Sequence, residues 1–113
     1  MKNSQYSKDG IPTLKIVDPS GLDQYELIDV RRPDEYDGEL GHIKGSKLVT
    51  LGLDLDNYLA REDKNKNILF ICRSGMRSGK ATEQAIKMGF NNVFNMEGGM
   101  ITWNEHSFPL DKE

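Results

Sequence analysis

Ile68-Leu69-Phe70-Ile71-Cys72-Arg73-Ser74-Gly75-Met76-Arg77-Ser78 is the stretch on which the reading of this chain turns. Four consecutive apolar residues stop abruptly at Cys72, and a helical pattern starts a few residues later with Ala81, Ala85 and Met88 at spacings of four and three. A short apolar run, a tight loop and then a helix read as one strand of a sheet buried on both faces, followed by its crossover helix. Gly89 stops that helix where a left-handed cap is wanted, and Phe90 is placed to fold back on the last turn.

Working outward, Glu26-Leu27-Ile28-Asp29-Val30 is a second strand, apolar on both faces except at Asp29. Pro33, with Asp34 and Glu35 behind it, fits the first turn of a short helix over residues 33–38, where proline loses no hydrogen bond and anions meet the positive helix end. Gly38, Gly41 and Gly45 punctuate the loop to a third strand at 47–50, a helical segment follows over 53–61, and residues 63–67 form a solvated turn. Residues 13–17 make the first strand, 92–95 the fifth, and Gly98-Gly99 opens a last helix through Trp103. Strands alternating with helices predict an α/β fold with a parallel sheet. Residues 1–10, polar and without periodicity, are expected to form a loose N-terminus, and 11–113 a single domain, because 113 residues leave no room for a second.

Composition narrows the function classes. Fifteen cationic residues against eighteen anionic ones, net −3, disfavour a sequence-independent nucleic-acid binder or a protein held to anionic lipid, so neither partner is expected. No run of about 18 apolar residues exists, and the polar start lacks the core of a signal peptide, which points to a cytoplasmic protein. Cys72 is the single cysteine, which excludes an internal disulfide, and with only His42 and His106 beside it the usual structural zinc set cannot form. No metal and no cofactor is expected.

In open parallel sheets ligands sit at the carboxyl ends of strands, and Cys72 falls at such an end just before a helix. Residues Arg73 to Ser78 are small, flexible or cationic, so their backbone N–H groups can turn inward around the sulfur as an anion-binding nest. The nest, the helix dipole and the charges of Arg73 and Arg77 all favour thiolate. Free cysteine is commonly a buried structural residue, but such a residue needs neither two arginines within five positions nor a glycine that lets the backbone curl round it. Elsewhere the structural explanation is the stronger one. His42 reads as a hydrogen-bonded loop residue, His106 as a surface residue, Asp29 as the partner of backbone or an arginine, and Trp103 as core. Arg31 and Glu35, four apart, read as a local ion pair. Met76, at the loop tip, is placed to line the entrance.

The segment Cys72-Arg73-Ser74-Gly75-Met76-Arg77-Ser78 resembles the active-site loop of the rhodanese-like sulfurtransferases, in which the first Cys carries the transferred sulfur as a persulfide. Three further stretches are similar to that family's signatures: Ile28-Asp29-Val30-Arg31-Arg32-Pro33-Asp34-Glu35-Tyr36, Gly41-His42-Ile43-Lys44-Gly45-Ser46, and Glu97-Gly98-Gly99-Met100 with Trp103 and Pro109. The resemblance spans residues 26–109 and implies a three-layer α/β/α fold around a five-stranded parallel sheet of order 1-5-4-2-3. It also implies a sulfurtransferase that moves sulfane sulfur from thiosulfate or a persulfide donor to a thiol or cyanide acceptor. Cys72 would be the catalytic residue, with Arg73, Ser74, Gly75, Met76, Arg77 and Ser78 around the substrate, and a protein could serve as donor or acceptor. A second reading is a persulfide carrier or interaction module with little turnover of free thiosulfate. A third is a phosphatase or arsenate reductase of the same fold, whose loop has Cys and Arg six positions apart; here that position is Ser78, and Arg77 is only five along. One departure stands out. Only eight residues, 18–25, separate the first two strands where the family usually carries a longer helix, so an irregular turn is expected there.

Overall fold

In the computed structural model, which describes residues 2–111, the chain runs β1 (Ser4–Lys8), β2 (Ile11–Lys15), a 3-10 turn (Pro19–Leu22), β3 (Glu26–Asp29), α1 (Pro33–Tyr36), β4 (Lys47–Leu48), α2 (Leu53–Arg61), β5 (Asn67–Ile71), α3 (Met76–Lys87), β6 (Asn92–Met96) and α4 (Gly99–Glu105). Met1, in the expected loose terminus, and Lys112 and Glu113, in the expected domain, lie outside the described residues. The six strands are ordered β1-β2-β6-β5-β3-β4. From β2 to β4 every pairing is parallel, and counted from β2 the order is the expected 1-5-4-2-3.

Two expectations need correction. The sheet has six strands rather than five and is mixed rather than all parallel, because β1 pairs antiparallel with β2 at the edge. Ser4–Lys8 also lies inside the stretch 1–10 expected to be loose. The strand hides from hydrophobic patterning because all five of its residues are exposed. Its order comes from backbone pairing and from the Asp9-Gly10 turn, whose φ angles of +53° and +79° are those a two-residue hairpin needs. Asn3 adds an anchor, since its Oδ1 accepts from Val17 N at 2.7 Å and Asp18 N at 2.8 Å while its Nδ2 donates to Asp18 O at 2.9 Å. The flank before β3 is the expected short turn, capped by the Asp18 side chain.

β5 shows how the sheet is covered. Ile68, Phe70 and Cys72 point to one face with Ile28, Leu55, Leu59, Ala81 and Ala85, under α2 and α3. Leu69 and Ile71 point to the other with Leu14, Met96, Met100 and Trp103, under α4. Strand alternation produces this split, and a fully buried side chain such as Phe70 contributes about 1.5 to 3 kcal/mol. Gly89, at φ +100°, ends α3 with Phe90 N donating to Ala85 O at 3.0 Å, the left-handed cap expected there. The parallel strands thereby bring the carboxyl ends of β3, β5 and β6 to one edge.

Candidate active site

Cys72 follows β5 directly and is completely buried. Its Sγ accepts the Gly75 backbone N–H at 3.0 Å and lies 3.1 Å from Ser78 Oγ. Gly75 makes the first contact possible: it caps α3 in a left-handed conformation, φ +102°, which a side chain would strain. Ser78 sits in the first turn of α3 and is buried on the same face as Cys72.

The remaining loop residues divide. Arg73 and Ser74 are exposed, and Met76 is 75% exposed at the loop tip. On the outer side of the loop, Ser74, Gly75 and Met76 line a groove of about 290 Å³ whose opposite wall is the β1–β2 hairpin at Lys8, Asp9 and Ile11. Arg77 does not hydrogen-bond the sulfur. Its Nη1 and Nη2 donate to Glu35 Oε1 and Oε2 at 2.6 and 2.8 Å, a two-pronged pair across to α1. The charge expected at the sulfur from Arg77 is thus largely matched by Glu35. That pair, with further help from the Arg32 backbone N–H, holds the Glu35 carboxyl down at about 2 against the opposing effect of burial, and raises the Arg77 guanidinium further.

The expected Arg31–Glu35 ion pair does not form. Arg31 is buried and donates to the Asp29 carboxylate through Nε at 2.9 Å and Nη2 at 2.8 Å; from Glu35 it meets only the backbone oxygen, at 3.2 Å. Its Nη2 also reaches Gly41 O at 2.8 Å, so the Asp29–Arg31 pair ties β3 to the glycine loop. His42 is structural, stacked on Tyr36 at 3.8 Å with Nδ1 against Tyr36 O at 2.9 Å. His106 bonds Thr102 O near the surface, and Trp103 is core, donating Nε1–H to Pro109 O at 2.8 Å.

Two features escape a reading of the sequence. Asn95, at the end of β6, sits beside the loop: Ser78 Oγ lies 2.5 Å from its Oδ1, and its Nδ2 donates to Gly75 O at 3.0 Å. Its signal is a polar residue in the inward register that it shares with Val93. The second is the contact of Gly98-Gly99 with the loop. Met100 N donates to Cys72 O at 2.8 Å and Ile101 N to Arg73 O at 3.0 Å, and a Cβ on Gly99 would stand 2.5 Å from Cys72 O.

Comparison with known proteins matches residues 15–106 of the chain to a family model, the rhodanese-like domain. The chain belongs to the rhodanese-like domain family. Among relatives, it is 31% identical over 102 residues to thiosulfate sulfurtransferase 18 of Arabidopsis thaliana, covering 79% of this chain and 74% of that protein. It is 30% identical over 95 residues to thiosulfate sulfurtransferase GlpE of Coxiella burnetii, covering 77% and 86%. A crystal structure of a rhodanese-related protein from Thermoplasma volcanium superposes with a TM-score of 0.73 at 29% identity, covering 83% of this chain and 90% of that one. The rhodanese-like match begins at residue 15, so β1 and most of β2 lie ahead of it. Among the described residues, no helix of this rhodanese-like chain is long and apolar enough to cross a membrane.

Proposed function

We propose that the protein is a sulfurtransferase in which Cys72 carries sulfane sulfur from thiosulfate or a persulfide donor to a thiol or cyanide acceptor. The observation that carries this reading is the pair of polar groups, Gly75 N–H and Ser78 Oγ, set within 3.1 Å of a single sulfur at the carboxyl end of the central strand. Two sulfurtransferases among its relatives add to it.

The Cys72 thiolate attacks the outer sulfur of thiosulfate; an S–S bond forms, the bond to the sulfite sulfur breaks, and sulfite leaves with the electron pair. A cyanide or thiolate acceptor then attacks the outer sulfur and releases the Cys72 thiolate. Neither half needs a proton, so the lack of a histidine at the sulfur is no obstacle. What each half needs is stabilisation of anionic sulfur, which the loop donors supply. Arg73, Ser74 and Met76 are the residues an incoming donor meets first, and Arg77, matched by Glu35, acts on it at longer range.

The test is intact mass after incubation with thiosulfate. One sulfur atom adds to wild type and none to Cys72→Ser, and cyanide removes it as thiocyanate. Loading of the serine variant, or no loading by any sulfane donor, refutes the assignment. Complete burial of Cys72 favours a second reading, a persulfide carrier loaded by a protein partner. A carrier becomes loaded yet shows little steady-state turnover of free thiosulfate and cyanide, whereas an enzyme shows both.

A further inference from the structure

Ser78 has one hydroxyl proton and two acceptors within reach. Its Oγ lies 3.1 Å from Cys72 Sγ and 2.5 Å from Asn95 Oδ1, and none of the three residues is more than 8% exposed. The Asn95 amide cannot be turned round. Its Nδ2 donates to Gly75 O, an atom that only accepts, and this leaves Oδ1 facing Ser78. Asn95 Oδ1 and the sulfur therefore compete for the same proton. While Cys72 is a thiol, Ser78 donates to Asn95 and accepts the S–H. Once the sulfur is a thiolate it draws the Ser78 proton to itself, and Asn95 Oδ1 faces an oxygen with no hydrogen between them.

We propose that Asn95 is a positioning residue that sets the charge of the Cys72 sulfur by competing with it for the Ser78 proton. This rests on the reading of Cys72 as the sulfur carrier. Attack on a donor needs thiolate, with the Ser78 proton on sulfur. After loading, the negative charge sits on the outer sulfur, Sγ is neutral, and the proton turns back to Asn95. The two acceptors thus serve the two halves of the cycle inside a site closed to solvent, and no bond to hydrogen is broken. The charged groups around the sulfur are separate from this relay. They are Arg77 of α3 with its partner Glu35 of α1, Arg73 of the loop, the Asp29–Arg31 pair at the end of β3, and Lys8, Asp9 and Glu97, which line the groove that Asn95 borders. β5 and β6 carry no charged residue, and α4 meets the loop through Gly99, Met100 and Ile101. None of these charges hydrogen-bonds Ser78 or Asn95 through its side chain.

The experiment follows formation of the single thiolate with pH, read as the ultraviolet absorbance of each protein minus that of its Cys72→Ser counterpart, so that the tyrosines cancel. Asn95→Ala leaves the Ser78 proton only the sulfur, and the thiolate-to-thiol ratio at a given pH rises by roughly fivefold, the size of the neutral Ser78–Asn95 hydrogen bond that the thiol form loses. Asn95→Asp keeps the shape but gives Ser78 a charged acceptor, and the ratio falls. In a Ser78→Ala background, Asn95→Ala has no effect and Asn95→Asp keeps only its through-space part. Opposite shifts that both require Ser78 do not arise from loosened packing, which moves both variants the same way. Shifts of the same sign, no shift in either variant, or shifts undiminished without Ser78 overturn the proposal. If Asn95→Ala does not fold, Asn95→Asp with and without Ser78 still decides. Thiosulfate loading, weighed on the same samples, separates the two claims. A wild type that loads but shows no coupling refutes the role of Asn95, whereas one that shows the coupling but never loads refutes the reading of Cys72 and leaves the proton competition standing.

Discussion

Replacing Glu35 by Gln tests whether the pair it makes with Arg77 is a source of stability and a governor of the site's charge. The substitution keeps the side chain's size but leaves the guanidinium, which now meets two carboxylate oxygens at 2.6 and 2.8 Å, facing a neutral amide. Glu35 is held at about 2 against an ordinary 4.5, chiefly by Arg77, and that gap corresponds to about 3 kcal/mol as an upper bound. Arg77 is 32% exposed, so solvent screening brings the expected loss to about 1 to 2 kcal/mol. Because the folded-state value is depressed, the stabilisation is fully present above about 4.5 and disappears as pH falls from there towards about 2. Urea denaturation at pH 7 should give a lower midpoint for Glu35→Gln with an unchanged slope, and the difference from wild type should shrink steadily below pH 4.5. A difference that stays constant from neutral pH down to the acid end of that window would refute the reasoning, since the carboxylate charge would then not be its origin. The same variant leaves Arg77 unmatched beside the loop. The KM for thiosulfate, a dianion, should fall while kcat changes little.

Two further predictions concern elements that frame the site. Gly99→Ala places a Cβ 2.5 Å from Cys72 O at φ +57°, and should cost about 2 to 5 kcal/mol and abolish loading; Gly89→Ala, at φ +100° with nothing within 4 Å, should cost only about 1 to 2 kcal/mol and leave loading intact, as thermal melts and intact mass will show. Asn3→Ala removes three hydrogen bonds that pin β1, so hydrogen exchange at the β1 amides should accelerate while that of β5 stays at the wild-type rate.

The sheet was legible because each of its inner strands states its environment locally. Ile68 to Ile71 is apolar at every position, which only a strand covered on both faces requires, and the Cys72 to Ser78 loop announces itself by packing a glycine and two arginines after such a strand. β1 was not legible through burial, since all five of its residues face solvent. Its one signal was the Asp9-Gly10 dipeptide, a hairpin turn whose flanks carry no apolar alternation to confirm it. Partner choice was the other failure. Arg31 and Glu35 have the spacing of a helical pair, but Arg31 belongs to the end of a strand, where its side chain turns back to Asp29, two positions away on the same face. That leaves Glu35 for Arg77, 42 residues on, a pairing only the fold creates. Asn95 was missed for the same reason: its role depends on β6 lying beside β5 in the sheet, which puts its amide under α3.

The closeness of the loop to the sulfur also bears on which chemistry the site suits. Ser78 stands at the sixth position after Cys72, where a loop built for a phosphoryl or arsenate group carries an arginine, and its hydroxyl lies 3.1 Å from Sγ. Gly75 N–H comes equally close from the other side of the turn, at 3.0 Å. Two donors at contact distance address the sulfur itself, whereas three equatorial oxygens of a phosphoryl group need donors one bond length further out, with a forked guanidinium to hold two of them. Arg77, one position earlier, turns its two terminal nitrogens to Glu35 instead. The donors therefore fit a charge centred on sulfur. Cys72 itself has no exposed surface, whereas Arg73, Ser74 and Met76 of its loop are exposed. These three residues offer their side chains to solvent, while the backbone oxygens of Cys72 and Arg73 stay fixed by the first turn of α4. The exposed side chains of the loop thus face solvent, while the groups that meet the sulfur are a backbone N–H and a buried hydroxyl.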